Sequence, residues 1–198
     1  FMGMFLSTAG YSDDDGTTWR TANEVKVVTP DISYAYGACE PVTLQLADGR
    51  VWMLIRTQMG RFYEAFSVDG AIWSRARPSR IISSDSPAGL VRLSDGRIVL
   101  IWNNCLRHPY AYGGRQVIHA AISEDEGRTW RGGREVGRDP CRSQPPPAQG
   151  DHGTAYPFPS VTRSDQIIIS TGQGAERTLL MRLQPDYLYA TTQEANFT

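Results

Sequence analysis

Ser12-Asp13-Asp14-Asp15-Gly16-Thr17-Thr18-Trp19 and Ser123-Glu124-Asp125-Glu126-Gly127-Arg128-Thr129-Trp130 share one pattern, S-x-D-x-G-x-T-W, and Ser67-Val68-Asp69-Gly70-Ala71-Ile72-Trp73 is a copy one residue shorter. The three copies start 55 and 56 residues apart. Even spacing of that size, with room for several strands between copies, is the signature of a propeller. Within each copy, short Ser and Asp side chains can bond backbone N–H groups of a turn, and Gly supplies a positive φ. Trp offers a large surface to bury between neighbouring sheets. The motif reads as a folding device. Asp14, Asp69 and Asp125 are therefore taken as turn formers rather than as calcium ligands or catalytic acids, because a catalytic site does not recur in every unit of a repeat.

A second series interleaves with the first. Leu46-Ala47-Asp48-Gly49-Arg50 and Leu93-Ser94-Asp95-Gly96-Arg97 each lie between two apolar runs, where Asp-Gly marks a tight hairpin turn, and Arg163-Ser164-Asp165-Gln166 is a weaker third copy. The turns predict strands at 42–46, 51–57, 62–67 and near 77–83, then at 89–93, 98–102, 116–123 and near 134–137, then at 157–162, 167–171 and 178–183. With the opening residues the expected tally is about two, four, four and three strands. The expectation is a single all-β domain: a blade remnant at 1–36, a blade at 37–83, a second at 84–140, a Pro-rich surface insertion at 141–151, and a partial blade at 152–198. Since a closed propeller needs at least about four blades, the chain, which opens on Phe1 rather than Met, is expected to be a piece of something longer.

Composition narrows the function classes. The 198 residues carry 20 Lys+Arg against 21 Asp+Glu, a formal net charge of −1, so no basic field suited to a nucleic-acid backbone is present. Cys39, Cys105 and Cys141 are odd in number and widely spaced, and His108, His119 and His152 share no spacing, so neither a disulfide framework nor a metal site is indicated. No cofactor is implied. No apolar stretch approaches the ~18 residues of a membrane span, and the opening residues lack the basic start of a signal peptide, so no membrane partner is expected and the compartment stays open.

The turns resemble the Asp-boxes, or BNR repeats, of the sialidase (neuraminidase) superfamily, and the resemblance covers essentially the whole chain. It implies the C-terminal part of a six-bladed sialidase-like β-propeller, of which about three to four four-stranded blades are present. It also implies a site. In the family a glutamate lies at the start of a strand about a hairpin ahead of an arginine. Glu40 and Arg56 bracket Asp48 at eight residues on each side, so both can reach one end of a blade. A further family arginine precedes an Asp-box strand, where Arg115 stands, and a tyrosine opens the inner strand of the following unit, where Tyr156 stands. The resemblance implies a retaining exo-glycoside hydrolase acting on terminal sialic sugars of a glycan.

The chemistry explains why these residue types belong together. A sialic acid carries a carboxylate on its anomeric carbon, which Arg56 and Arg115 would grip by charge-assisted hydrogen bonds. A carboxylate nucleophile would be repelled by that charge, by about 4 kcal/mol at ~4 Å for an effective dielectric of ~20. A neutral tyrosine avoids the repulsion, and Glu40 would take the phenolic proton as Tyr156 attacks.

Repeat equivalence adds Asn103 and Gln173 as substrate-lining residues, each eight residues after its turn aspartate as Arg56 is. Asn103 could bond sugar hydroxyls or simply turn the chain after Trp102, and Asp151 and His152, in a loop near Tyr156, could reach the substrate, as acid or base. Departures from the family pattern accompany the matches. The first arginine and the aspartate general acid belong to blades ahead of this chain, so the isolated piece is expected to be nearly inactive. The Ser-Asp that usually follows the tyrosine is replaced by Pro157-Phe158. Two other readings stay open: a propeller hydrolase or lyase acting on uronic acids or neutral sugars, and a non-catalytic glycan- or protein-binding propeller.

Overall fold

The computed structural model describes residues 4–29, 36–104, 114–140, 153–172 and 178–190. The described residues are all-β and form four antiparallel sheets. The first is the short pair β1 (Gly10–Tyr11) and β2 (Arg20–Thr21). The second contains β3 (Cys39–Gln45), β4 (Val51–Arg56), β5 (Arg61–Ser67) and β6 (Arg77–Ile82) in sequence order. The third repeats that order with β7 (Gly89–Arg92), β8 (Ile98–Trp102), β9 (Val117–Ser123) and β10 (Arg131–Arg138). The fourth has β11 (Pro157–Val161), β12 (Ile167–Thr171) and β13 (Leu180–Leu183), followed by a 3-10 helix over Pro185–Tyr189 that the hydrophobic pattern does not foretell.

The two-four-four-three count follows from the turns. β10 starts three residues before the expected strand, with Arg131 already paired to Ile122. β3 starts at Cys39 through a bulge: Cys39 pairs with Arg56 and Val42 with Leu54, and the two residues between them fall out of register. The architecture is an incomplete β-propeller, whose sheets stack face to face as blades do.

Three apolar layers hold the sheets together. Met53, Ile55 and Ala65 pack with Ala22, Val25 and Trp73 between the first two sheets. Trp52, Leu54 and Phe62 meet Leu90, Leu100 and Trp130 between the second and third. Val99, Ile101 and Ile122 meet Ile167, Ile169 and Leu188 between the third and fourth. Side chains alternate along a strand, so a central strand buries both faces, and every residue of β8 is buried. The innermost strands β3, β7 and β11 touch in succession. Their approach is close enough to require Gly89, where a Cβ would lie 2.6 Å from the Pro159 ring and 2.8 Å from the Pro157 carbonyl.

The Asp-boxes perform the turn work expected of them. The Asp14 carboxylate accepts the Thr18 N–H at 2.8 Å and the Thr18 hydroxyl at 2.6 Å, and Ser12 Oγ accepts from the Gly16 N–H at 2.9 Å. Asp125 and Ser123 make the same bonds to Thr129 and Gly127. In the short copy, Asp69 accepts from the N–H groups of Ala71 and Ile72 instead. The tryptophans divide. Trp73 and Trp130 are buried in the layers between sheets, whereas Trp19 is 67% exposed. That corrects the expectation for Trp19: its indole still donates to the Gly16 carbonyl, but no described residue of a preceding sheet covers it.

Candidate active site

The fold brings the start of each inner strand and the end of its partner to one rim. Glu40 sits in the bulge at the start of β3, and Arg56 ends β4 directly across the ladder. Arg56 shares a face with Trp52 and Leu54, the face that packs on the third sheet, so its guanidinium is aimed at the connection between β6 and β7. Asp85 lies in that connection, Arg115 just ahead of β9, and Tyr156 just ahead of β11. A bulge re-aims the side chain it carries, and that is how Glu40 turns from the ladder towards Arg56.

All four principal residues meet. Tyr156 OH donates to Glu40 Oε1 at 3.2 Å and accepts from Arg56 Nη1 at 3.1 Å. The same Nη1 donates to Glu40 Oε2 at 2.5 Å. Arg115 lies over the Tyr156 ring, its Cζ 5.5 Å from the centroid. Arg115 is anchored from the far side, because its carbonyl accepts the Thr154 N–H at 2.7 Å and a Cβ on Gly153 would come within 2.9 Å of that oxygen. Both Glu40 and Tyr156 have left-handed backbones, with φ of 41° and 56°. Such conformations cost of order 1–3 kcal/mol each and gather where a side chain must be aimed rather than merely accommodated.

Two residues that sequence reasoning missed complete the cluster. Asp85 Oδ1 accepts from Arg56 Nε at 2.8 Å. Tyr36 OH donates to the Asp85 carboxylate at 2.6 Å and accepts from Arg56 Nη2 at 2.6 Å. Arg56 thus stands between two tyrosine–carboxylate pairs. Its side chain is 6% exposed. Burial opposes its charge, but Asp85, Tyr36 and Glu40 outweigh burial and hold its pKa above the ordinary arginine value. Burial, followed by the hydrogen bond to Asp85, pushes the Tyr36 phenol well above its ordinary value and keeps it protonated. Burial, with Glu40 next to it, likewise raises the Cys39 thiol. An X-Pro step stands at or just before the start of each inner strand, at Glu40-Pro41, Ser86-Pro87 and Tyr156-Pro157, but in the second the position equivalent to Glu40 and Tyr156 is Ser86, so this pattern passes Asp85 by one residue.

Asn103 departs from the sugar-contacting role expected of it. It is buried, its amide donates to the carbonyls of Val117 and Thr154, and its Oδ1 accepts from Ser86 Oγ. Every polar atom of the side chain is thereby committed to bracing the loops beneath the rim. Gln173, Asp151 and His152 lie outside the described residues. A cleft of about 860 Å³ lies at the opposite end of the second and third sheets, lined by Asp48, Phe66, Arg80, Arg128 and Trp130, and it contains none of the residues of the Arg56 cluster.

The profile of the BNR repeat-like domain matches residues 3–169. A sialidase of Micromonospora viridifaciens is 28% identical over 143 residues, which is 65% of this chain and 20% of that protein. Among solved structures, the NanB sialidase from Streptococcus pneumoniae superposes with a TM-score of 0.63 at 16% identity, over 94% of this chain and 28% of that one. An intramolecular trans-sialidase from Ruminococcus gnavus, solved with oseltamivir carboxylate, superposes with a TM-score of 0.62 at 18% identity, over 92% of this chain and 38% of that one. The chain therefore spans about a fifth of the curated sialidase it matches. The match of the domain profile over most of the chain, with the repeated Asp-boxes, establishes that the chain belongs to the BNR repeat-like domain family, and its fold is like that of the sialidases on which it superposes.

Proposed function

We propose that this chain supplies the nucleophile, its base and two of the carboxylate-reading cations of a retaining exo-sialidase. The observation that carries the reading is the position of the Tyr156 hydroxyl, between Glu40 Oε1 at 3.2 Å and Arg56 Nη1 at 3.1 Å. A candidate base must lie within hydrogen-bond reach of the proton it takes, and Glu40 does. The Arg56 guanidinium is placed to stabilise negative charge as it develops on the phenolic oxygen.

On this reading the carboxylate of a terminal sialic acid meets Arg56 and Arg115, and the Tyr156 oxygen attacks the anomeric carbon while its proton passes to Glu40. The bond to the leaving sugar breaks with its electron pair going to the glycosidic oxygen, which an acid outside this chain protonates. Water then attacks the anomeric carbon as the Tyr156–sugar bond breaks, its electron pair going to the phenolic oxygen. Glu40 returns its proton to that oxygen, the water gives its proton to the conjugate base of the leaving-group acid, and the sugar leaves with its configuration retained.

The test is hydrolysis of a sialyl-lactose substrate by the full-length protein beside Tyr156→Phe and Glu40→Gln. The expected result is loss of turnover in the first. In the second, kcat should fall by about 10²–10⁴-fold, with KM changed far less. Undiminished turnover in both would remove the assigned roles.

A further inference from the structure

Both arginines of the site end on Asp85. Arg56 gives it Nε at 2.8 Å, and the neighbouring Nη2 donates at 2.6 Å to the Tyr36 hydroxyl, whose own proton goes to the same carboxylate. Asp85 and Tyr36 together thus hold the Nε–Nη2 edge of the guanidinium, one of the two edges from which parallel N–H groups can grip a carboxylate. On the other side, Nη1 is engaged by Glu40 and Tyr156. Arg115 directs Nε and Nη2 to the Asp85 backbone carbonyl at 3.0 and 2.6 Å. The Asp85 side chain is 17% exposed, at the rim rather than beneath it. Both carboxylates, Glu40 and Asp85, are thus engaged on the one guanidinium of Arg56.

We propose that Asp85 is an internal counter-anion that holds the carboxylate-gripping edge of Arg56 and sets how strongly the site takes an acidic sugar in preference to a neutral one. The inference rests on the reading of the rim as an acidic-sugar site. An incoming carboxylate has either to displace Asp85 and Tyr36 from that edge or to share Arg56 with a like charge a few ångströms away. At the modest dielectric of a partly buried site both are unfavourable. Affinity for the acid is thus held down by a residue of the protein itself, while affinity for an uncharged analogue is not.

The test is calorimetric titration of the full-length protein with N-acetylneuraminic acid and, separately, with its methyl ester, which lacks the charge. Asp85→Asn keeps the shape and an acceptor oxygen for Tyr36 but removes the anion. It is expected to bind the acid at least about tenfold more tightly and to change binding of the ester by less than about twofold. Tyr36→Phe, which removes only the phenol from Nη2, is expected to give a smaller gain for the acid alone, and it carries the test if melting curves show Asp85→Asn to be unfolded. Acid binding that is unchanged or weaker in the folded variant, with wild type still preferring the acid, would overturn the counter-anion role and leave the acidic-sugar reading standing. Absence of acid binding in wild type and variants alike would remove both.

Discussion

The Tyr156 hydroxyl lies 3.2 Å from Glu40 Oε1, although 116 residues of chain separate them and they begin strands of different sheets. No local motif can make that contact. It depends on β3, β7 and β11 packing in succession, so the site is a property of how the sheets stack rather than of any one of them.

Stacking depends on the Asp-box tryptophans that are covered. Trp130 is 7% exposed and Trp19 is 67% exposed in otherwise equivalent turns. Trp130→Ala is expected to cost on the order of 3–5 kcal/mol in denaturant unfolding and Trp19→Ala less than about 1 kcal/mol. Equal losses would mean that the turn itself, not the layer between sheets, is what the indole supports.

The strand plan was legible because its signals are local. Asp-Gly turns between apolar runs fix hairpins wherever they occur, and three Asp-boxes fix the period. Glu40, Arg56, Arg115 and Tyr156 were legible through family order, and the symmetry of the first two about Asp48 put them at one end of a blade. Tyr36 and Asp85 were not. Both lie in connections between sheets, outside either repeated turn, and reach Arg56 only when separate sheets close on one another. Asn103 shows the converse limit, since a spacing of eight residues places a position at the rim but does not say whether its side chain faces solvent or the loops below. The left-handed backbones of Glu40 and Tyr156 were also illegible, because neither residue type favours that conformation.

The acid of the first Asp-box gives a pH-dependent expectation. Hydrogen bonds from the Thr18 hydroxyl and backbone, then from Ser12, hold the Asp14 carboxyl at about 2, against an ordinary value of 3.8. The folded value lies below the unfolded one, so the stabilisation is complete above the unfolded value and is lost as pH falls through the folded one. Thermal melts of wild type and Asp14→Asn should differ at neutral pH and converge between roughly pH 4 and pH 2. A gap that persists below that window would place the effect elsewhere than in the ionised carboxylate.

Arg56 compensates two acids in a nearly closed setting, with its side chain 6% exposed and that of Asp85 17% exposed. Removing one partner of a buried ion pair typically costs about 3–5 kcal/mol, because the other charges are left without compensation. Arg56→Met is expected to fall in that range, and the double variant with Asp85→Asn to recover a measurable part of it. Strict additivity in this double-mutant cycle would indicate that the two side chains do not interact energetically.

The central claim is that Tyr156 forms the bond to the sugar, and it can be read without relying on rates. The full-length protein is incubated with a fluorinated sialic acid that slows release of the glycosyl-enzyme, digested, and mapped by mass spectrometry. The account predicts one added sugar on the peptide carrying Tyr156, absent in Tyr156→Phe. An adduct on any other residue, or an unmodified protein that still hydrolyses sialosides, would contradict it.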